Sequence, residues 1–231
     1  MKASRASAAV VFGAVLAVSL VTAATSAGLV SVTTLAATPR STGDGKIWLL
    51  FSSAFVADQP ASLELMAFAA FAIVVLFLVG PFVLWTSAIL GHVGSTLVLY
   101  GFIAVAGLVV PTAFDSVLSF EDYGTSAMIA AWVGVVAAVE WRRRGGAPAR
   151  LGVLAFCVIA ASIAWAVHPG ASVLDGEHVV AFVIGVASTH PAFRRAVGRL
   201  LGDWWRAMGA AVEAAVALRR QPARRFGDTE G

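Results

Sequence analysis

Ser126 and His178 are the two side chains of this sequence whose types and settings suggest covalent chemistry. Ser126 lies in a GxS turn, Gly124-Thr125-Ser126, at the start of an apolar segment, and His178 opens another. A serine hydroxyl becomes a nucleophile when a nearby imidazole accepts its proton. The sequence therefore predicts a serine–histidine dyad, provided that the two segments are neighbouring helices.

The composition indicates the setting of this chemistry. The mean hydropathy is +0.87, with 59% hydrophobic and only 13% charged residues, which is typical of a membrane protein. Apolar stretches long enough to cross about 30 Å of hydrocarbon recur along the chain. We therefore predict an all-α, polytopic membrane domain over residues 1–193 with six transmembrane helices, near residues 7–33, 63–84, 86–110, 124–140, 151–167 and 178–193.

The positions of the basic residues give a topology for these spans. Lys and Arg accumulate in cytoplasmic loops, and of the 16 in the chain only Arg40 and Lys46 fall in gaps assigned to the outside. This distribution predicts a multi-pass protein of the cell membrane with both termini in the cytoplasm. The basic excess is then explained by topology and by contact with anionic lipid, and nucleic acid is not an expected partner.

The segments outside the spans differ in character. Residues 37–62 form a predicted outer loop whose apolar stretch Ile47–Phe51 favours the membrane interface. Residues 194–220 predict a cytoplasmic amphipathic, basic helix, and residues 221–231 a disordered tail. The first span also has features of a cleavable signal peptide, but its apolar run exceeds a signal core, and we expect it to be retained.

Depth in the membrane singles out the same two residues. Ser126 lies about two residues into the fourth span from the outer side, and His178 begins the sixth span from that side. Ionisable groups inside a membrane are costly and are functional candidates by default. The imidazole of His178 could then accept the serine proton and return it to a leaving amine.

Four pieces of sequence occur in order along residues 47–187, and together they carry a family resemblance. They are Trp48–Phe55, Gly91–Leu97, Asp122–Ser126, and His178 with its followers Ala181 and Gly185. This pattern resembles the rhomboid intramembrane serine proteases, and more closely the actinobacterial rhomboid-like membrane proteins. The resemblance implies a six-helix bundle that cleaves the transmembrane segments of single-pass membrane proteins.

The resemblance also implies roles for individual residues. Ser126 resembles the nucleophile and His178 its base. Gly124 resembles the glycine that lets the backbone turn beneath the serine, while Ala127 stands where glycine is usual. Ala181 and Gly185 follow the histidine at the spacing HxxAxxxG, and small residues on one helix face allow close approach to a neighbouring helix.

The oxyanion donors are not assigned by this pattern. Active rhomboids carry HxxxN near the outer end of span two, and Gln59–Phe68 contains neither residue. His92 and Thr96 have the HxxxN spacing on span three, where we expect His92 near the cytoplasmic end, far from Ser126, in a packing patch with Gly91, Gly94 and Ser95. Backbone N–H groups near Ser126 and the side chain of Gln59 remain as candidates.

Other interpretations of these residues stay open. Ser126 could bond to a backbone carbonyl, and His178 could simply start a helix at the interface. Asp122 and Glu177 could cap their helices or position the site. The chain could accordingly be a catalytically silent rhomboid-like protein that binds transmembrane segments or acts as a scaffold. The sequence contains no CxxC or HExxH motif and no glycine-rich phosphate loop, so neither a metal nor a cofactor is predicted.

Overall fold

The computed structural model is helical over the part of the chain that it describes, residues 4–110, 117–143, 146, 150–153 and 172–220. This confirms the all-α class. The predicted fifth span lies almost entirely outside the described residues, as do Cys157, His168 and the tail 221–231.

Three helices are long and apolar enough to cross a membrane. Helix α1 spans Arg5–Ser26, α2 spans Ala61–Val79 and α3 spans Pro81–Val109, with lengths of 22, 19 and 29 residues. Two further helices carry the predicted dyad, the serine helix Ser126–Arg143 and the histidine helix Ser172–Ser188. The chain is therefore rich in apolar helices, while the count of six spans stays a prediction.

Several helices begin or end a few residues away from the bounds of the predicted spans. The first helix ends at Ser26, and Val32–Thr34 is a separate 3-10 turn. The turn between the second and third helices lies at Gly80, because Gly80 has a φ of 90° and Pro81 opens the next helix. The histidine helix starts at Ser172, so that His178 lies in its second turn.

Helix α3 changes its pitch in the middle. Residues Leu90–Gly94 form a π-helical segment between two α-helical parts. Immediately after it, the Ser95 hydroxyl donates to the Gly91 carbonyl and the Thr96 hydroxyl donates to the His92 carbonyl at 2.8 Å. Such π-segments are frequent at functional sites, and this one packs against the serine helix.

The serine helix forms the centre of the packed core. Trp132 is fully buried, and its indole N–H donates to the Leu84 carbonyl of α3 at 3.1 Å. Its ring also lies 5.0 Å from that of Phe68 on α2. Trp132 thus contacts both α2 and α3, and the N–H of its buried ring has a hydrogen-bond acceptor.

The serine and histidine helices approach each other so closely that only glycine fits at two positions. A Cβ atom added to Gly134 would lie 2.2 Å from the Phe182 carbonyl oxygen. One added to Gly185 would lie 1.9 Å from the Ala131 carbonyl oxygen. Both distances are far inside van der Waals contact, so the two backbones are directly in contact at these glycines.

The outer loop contains short helical segments at Pro39–Gly43 and Leu49–Ser52, followed by a 3-10 turn at Ser53–Phe55. Its Leu49 and Leu50 are buried. Other apolar side chains of the loop are exposed, namely Ile47, Trp48, Phe51 and Phe55. This pattern suits a loop that faces the interface region of a membrane.

The C-terminal helix, Pro191–Arg220, belongs to a separate compact unit. Along it, exposed apolar residues recur at helical spacing, and Arg194, Arg195, Arg199 and Arg206 are exposed as well. The exposed apolar residues are Leu200, Leu201, Trp204, Trp205 and Met208. An apolar stripe with flanking arginines is the pattern of a helix that lies on a membrane surface.

The contact between the serine and histidine helices can be tested with one methyl group. Gly185→Ala should lower the free energy of unfolding by about 1–3 kcal/mol, because the added Cβ overlaps the Ala131 backbone. Gly101→Ala is the matched control, since Gly101 is also helical but faces open space, and the change should be neutral or stabilising by up to about 1 kcal/mol. Thermal unfolding of both variants in one detergent measures the difference, and equal effects would contradict the packing.

Candidate active site at the Ser126 turn

The structure places Ser126 and His178 within hydrogen-bond distance of each other. The Ser126 Oγ lies 2.9 Å from the His178 Nε2, and both side chains are partly buried. When Nε2 carries no proton, the serine hydroxyl donates to it, which is the arrangement that activates a serine. The geometric condition derived from the sequence is met, whereas the catalytic roles of the two residues stay a prediction.

Small side chains bring the two helices close enough for this hydrogen bond. Ala127 follows the serine, Ala181 lies one turn after the histidine, and both are buried together with Ala131. Gly185, one further turn along, contacts the backbone of Ala131. The alanine at the position where the resemblance expects glycine therefore fits within this packing.

The turn before Ser126 is held by the outer loop. Gly124 adopts a φ of 125°, a conformation that other residues rarely take. Its N–H donates to the Ser53 carbonyl at 3.1 Å, and Asp122 forms an antiparallel bridge with Ala37 through hydrogen bonds of 2.8 and 2.9 Å. The loop thus fixes the backbone that presents the serine.

Glu64 is a site residue that the sequence analysis missed. Its Oε1 accepts hydrogen bonds from the Thr125 N–H at 2.6 Å and from the Thr125 hydroxyl at 2.7 Å. Its Oε2 accepts from the Asp58 N–H. The signal that could have found it is an acid in the first turn of an otherwise apolar span, since such groups are rare without a function.

Two further carboxyl groups lie buried beside the site. Asp122 and Glu177 are 5% and 1% exposed, so neither is a surface cap. The Thr96 Oγ1 lies 2.7 Å from the Glu177 Oε1 and 3.3 Å from the Asp122 Oδ2. The Tyr100 hydroxyl lies 3.5 Å from the same Asp122 oxygen. These contacts join the turn before Ser126 to the residue before His178, which favours a positioning role for both acids.

Burial raises the pKa of two residues in the loop before the serine. Desolvation raises the pKa of Asp122 to about 6, although hydrogen bonds from Thr96 and Tyr100 oppose this shift. Burial also raises the pKa of Tyr123, and the carboxylates of Asp58, Glu121 and Glu64 add to that increase. The surroundings of the GxS turn are therefore acidic and poorly solvated.

The expected position of His92 was wrong. Its Nε2 lies 3.0 Å from the Ser53 Oγ, and both residues are buried. A Cβ added to the neighbouring Gly91 would lie 3.5 Å from the Ala127 carbonyl oxygen, so this part of α3 packs beside the first turns of the serine helix. His92 lies in the middle of α3 because this helix begins at Pro81. It is close to the site because Ser53 of the outer loop contacts it.

The two glycines of the predicted packing patch face neighbouring helices. Gly91 meets Ala131, and Gly94 faces Ile184 of the histidine helix. The predicted oxyanion candidate Gln59 is exposed in the loop before α2. Within the described ranges, no group of three His, Cys, Asp or Glu residues could hold a metal ion.

No protein-family model, curated protein or solved structure matches this chain. The residues and their geometry therefore carry the functional argument. The class that they define is an all-helical protein, rich in apolar helices, with a serine and a histidine in hydrogen-bond contact.

The raised pKa of Asp122 predicts a pH-dependent stability. Its folded value of about 6 exceeds the ordinary value of 3.8, so the native state binds more protons between these limits. Stability should fall as pH rises through this window, by up to about 3 kcal/mol. Asp122→Asn should weaken this dependence without abolishing it, because the buried carboxyl group of Glu177 beside it remains.

Thermal unfolding at pH 4.5 and 7.5 measures the effect. Glu121→Gln serves as the control, because Glu121 is the exposed neighbouring acid and its loss should leave the pH dependence of the wild type intact. An Asp122→Asn variant that loses as much stability between the two pH values as the wild type would contradict the prediction.

Proposed function

We propose that this protein is an intramembrane serine protease of the rhomboid type that cleaves the transmembrane segments of single-pass membrane proteins. The observation that supports this most is the 2.9 Å contact between the Ser126 Oγ and the His178 Nε2 at the start of the serine helix. Three of the residues that carry the rhomboid resemblance, Ala127, Ala181 and Gly185, pack between the two helices that bear this contact. A substrate would be recognised as an extended peptide next to an apolar segment.

The reaction follows from the chemistry of the pair. The His178 Nε2 accepts the Ser126 proton as the Oγ attacks the scissile carbonyl carbon, and the carbonyl π electrons move onto oxygen. When the tetrahedral intermediate collapses, the C–N bond breaks and the imidazolium gives its proton to the leaving amine. Water then attacks the acyl-serine ester with the same histidine as base, which releases the acid and restores the serine.

The oxyanion of this reaction would lie at the N-terminal end of the serine helix. The first N–H groups of a helix have no acceptor within it, and the helix dipole places positive potential at this end. Ser126 is the first residue of that helix. Backbone groups here can therefore stabilise negative charge without the histidine and asparagine of the rhomboid second span.

The proposal includes the membrane setting. We place six spans in the cell membrane with both termini in the cytoplasm, so that the dyad opens toward the outer side. The lipid bilayer is then the main partner, and the C-terminal helix Pro191–Arg220 would lie against the anionic inner surface with its arginines among the headgroups.

A second candidate is a catalytically silent rhomboid-like protein that binds transmembrane segments as clients or acts as a scaffold. One observation favours it: the Thr125 N–H, next to the nucleophile, is already occupied by the Glu64 carboxylate. A site whose donors are taken can keep its fold without turnover.

A serine-directed probe separates these two functions. A fluorophosphonate should label wild-type protein at Ser126, and Ser126→Ala should abolish the labelling. His178→Ala should slow it by about 10²- to 10⁴-fold, because the base is lost while the hydroxyl remains. Mass spectrometry of the labelled peptide gives the site and the rate, and Ser19→Ala on α1 is a control that should react like the wild type. Unlabelled, well-folded wild type would favour the silent protein.

Single cysteines test the proposed topology. In a Cys157→Ser background, Gly43→Cys in the outer loop should react with a membrane-impermeant maleimide in intact cells. Gly209→Cys in the C-terminal helix should react only after permeabilisation. Both glycines face open space, so the substitutions should not disturb packing. Equal reactivity of the two cysteines in intact cells would exclude this topology.

A further inference from the structure

We propose that Glu64 is an inhibitory clamp on the Ser126 turn, a regulation that rests on the proposed protease function. The clamp consists of the two hydrogen bonds that the Glu64 Oε1 accepts from Thr125 and the one that its Oε2 accepts from Asp58. Both carboxylate oxygens are therefore engaged. The side chain links the end of the outer loop, the first turn of α2 and the residue that precedes the nucleophile.

The occupied donor is a backbone N–H next to the nucleophile. In acyl transfer the negative charge develops on the former carbonyl oxygen, and backbone N–H groups beside the nucleophile stabilise it. The Thr125 N–H lies directly before Ser126, yet it points at the Glu64 carboxylate at 2.6 Å. While that bond persists, this N–H is held away from an oxyanion.

The negative charge of Glu64 also opposes the reaction at Ser126. Its Oε1 and the Ser126 Oγ lie 3.4 and 3.5 Å from the single point where a Cβ of Gly124 would be. The two oxygens therefore lie within about 7 Å of each other, beside the position that a Gly124 side chain would occupy. A carboxylate at this distance disfavours the growth of a second negative charge on the reacting atoms.

The fold stabilises the clamp in its closed form. Glu64 belongs to the first turn of α2, where the helix dipole favours a negative charge. Thr125 is completely buried, so that its hydroxyl and N–H have no water to replace the carboxylate. Activity then requires Glu64 to release Thr125 and the turn to open, so that a substrate can reach this N–H.

Two substitutions separate the charge of Glu64 from its occupation of the donor. Glu64→Gln keeps a side-chain oxygen that can accept from the Thr125 N–H but removes the charge. Glu64→Ala removes both. Fluorophosphonate labelling of Ser126 should become at least about 10-fold faster in Glu64→Ala, with Glu64→Gln between this variant and the wild type. The increase should appear in the maximal inactivation rate and not in the probe concentration at half-saturation, because the freed N–H acts in the transition state.

The matched control is Glu121→Gln, which removes an exposed acid from the same region and should label like the wild type. Hydrogen exchange of residues 122–128 gives a second measurement, and the Thr125 amide should exchange faster in Glu64→Ala. If Glu64→Ala does not fold, the isosteric Glu64→Gln alone tests the proposal. Its rate of Ser126 labelling must still exceed that of the wild type.

The outcomes distinguish the clamp from the function on which it rests. If the folded Glu64 variants are labelled at the wild-type rate or more slowly, the clamp is overturned and the dyad is not affected. Absence of Ser126 labelling in the wild type and in both Glu64 variants overturns the clamp and the protease function together. Labelling that is weak in the wild type and strong in the variants supports both.

Discussion

The close approach of the serine and histidine helices is the constraint on which the rest of the structure depends. At Gly134 and Gly185 the two backbones touch, and a single added methyl group would overlap a carbonyl oxygen. This contact holds the first turn of the serine helix close to the second turn of the histidine helix, where Ser126 and His178 lie 2.9 Å apart. A looser pair of helices would still bury apolar surface but would separate the two polar side chains.

A layer of polar contacts then fixes the orientation of these helices. Thr96 on α3 contacts both Asp122 and Glu177, and Gly124 is hydrogen-bonded to the loop at Ser53. These groups are buried, so each depends on its partners in place of water. The same network also places the carboxyl groups of Asp122 and Glu177 in the buried layer between the two helices.

The features that depend on the helices could be predicted from the sequence, whereas those that depend on the outer loop could not. Apolar run length and the small residues Ala181 and Gly185 predicted the helices and their close packing. Neither the inward course of the outer loop nor the contact of Glu64 with Thr125 follows from periodicity, because both depend on side chains far apart in sequence. The position of His92 was missed for the same reason, since its partner Ser53 belongs to that loop.

The attachment of the outer loop to the nucleophile turn has a mechanical consequence. The loop exposes Trp48 and Phe51, yet the same loop accepts the Gly124 N–H through Ser53. In the proposed membrane setting, a displacement of these aromatic side chains by lipid would be transmitted through the Ser53–Gly124 hydrogen bond to the backbone that precedes Ser126. The geometry of the dyad would then depend on the thickness of the surrounding bilayer.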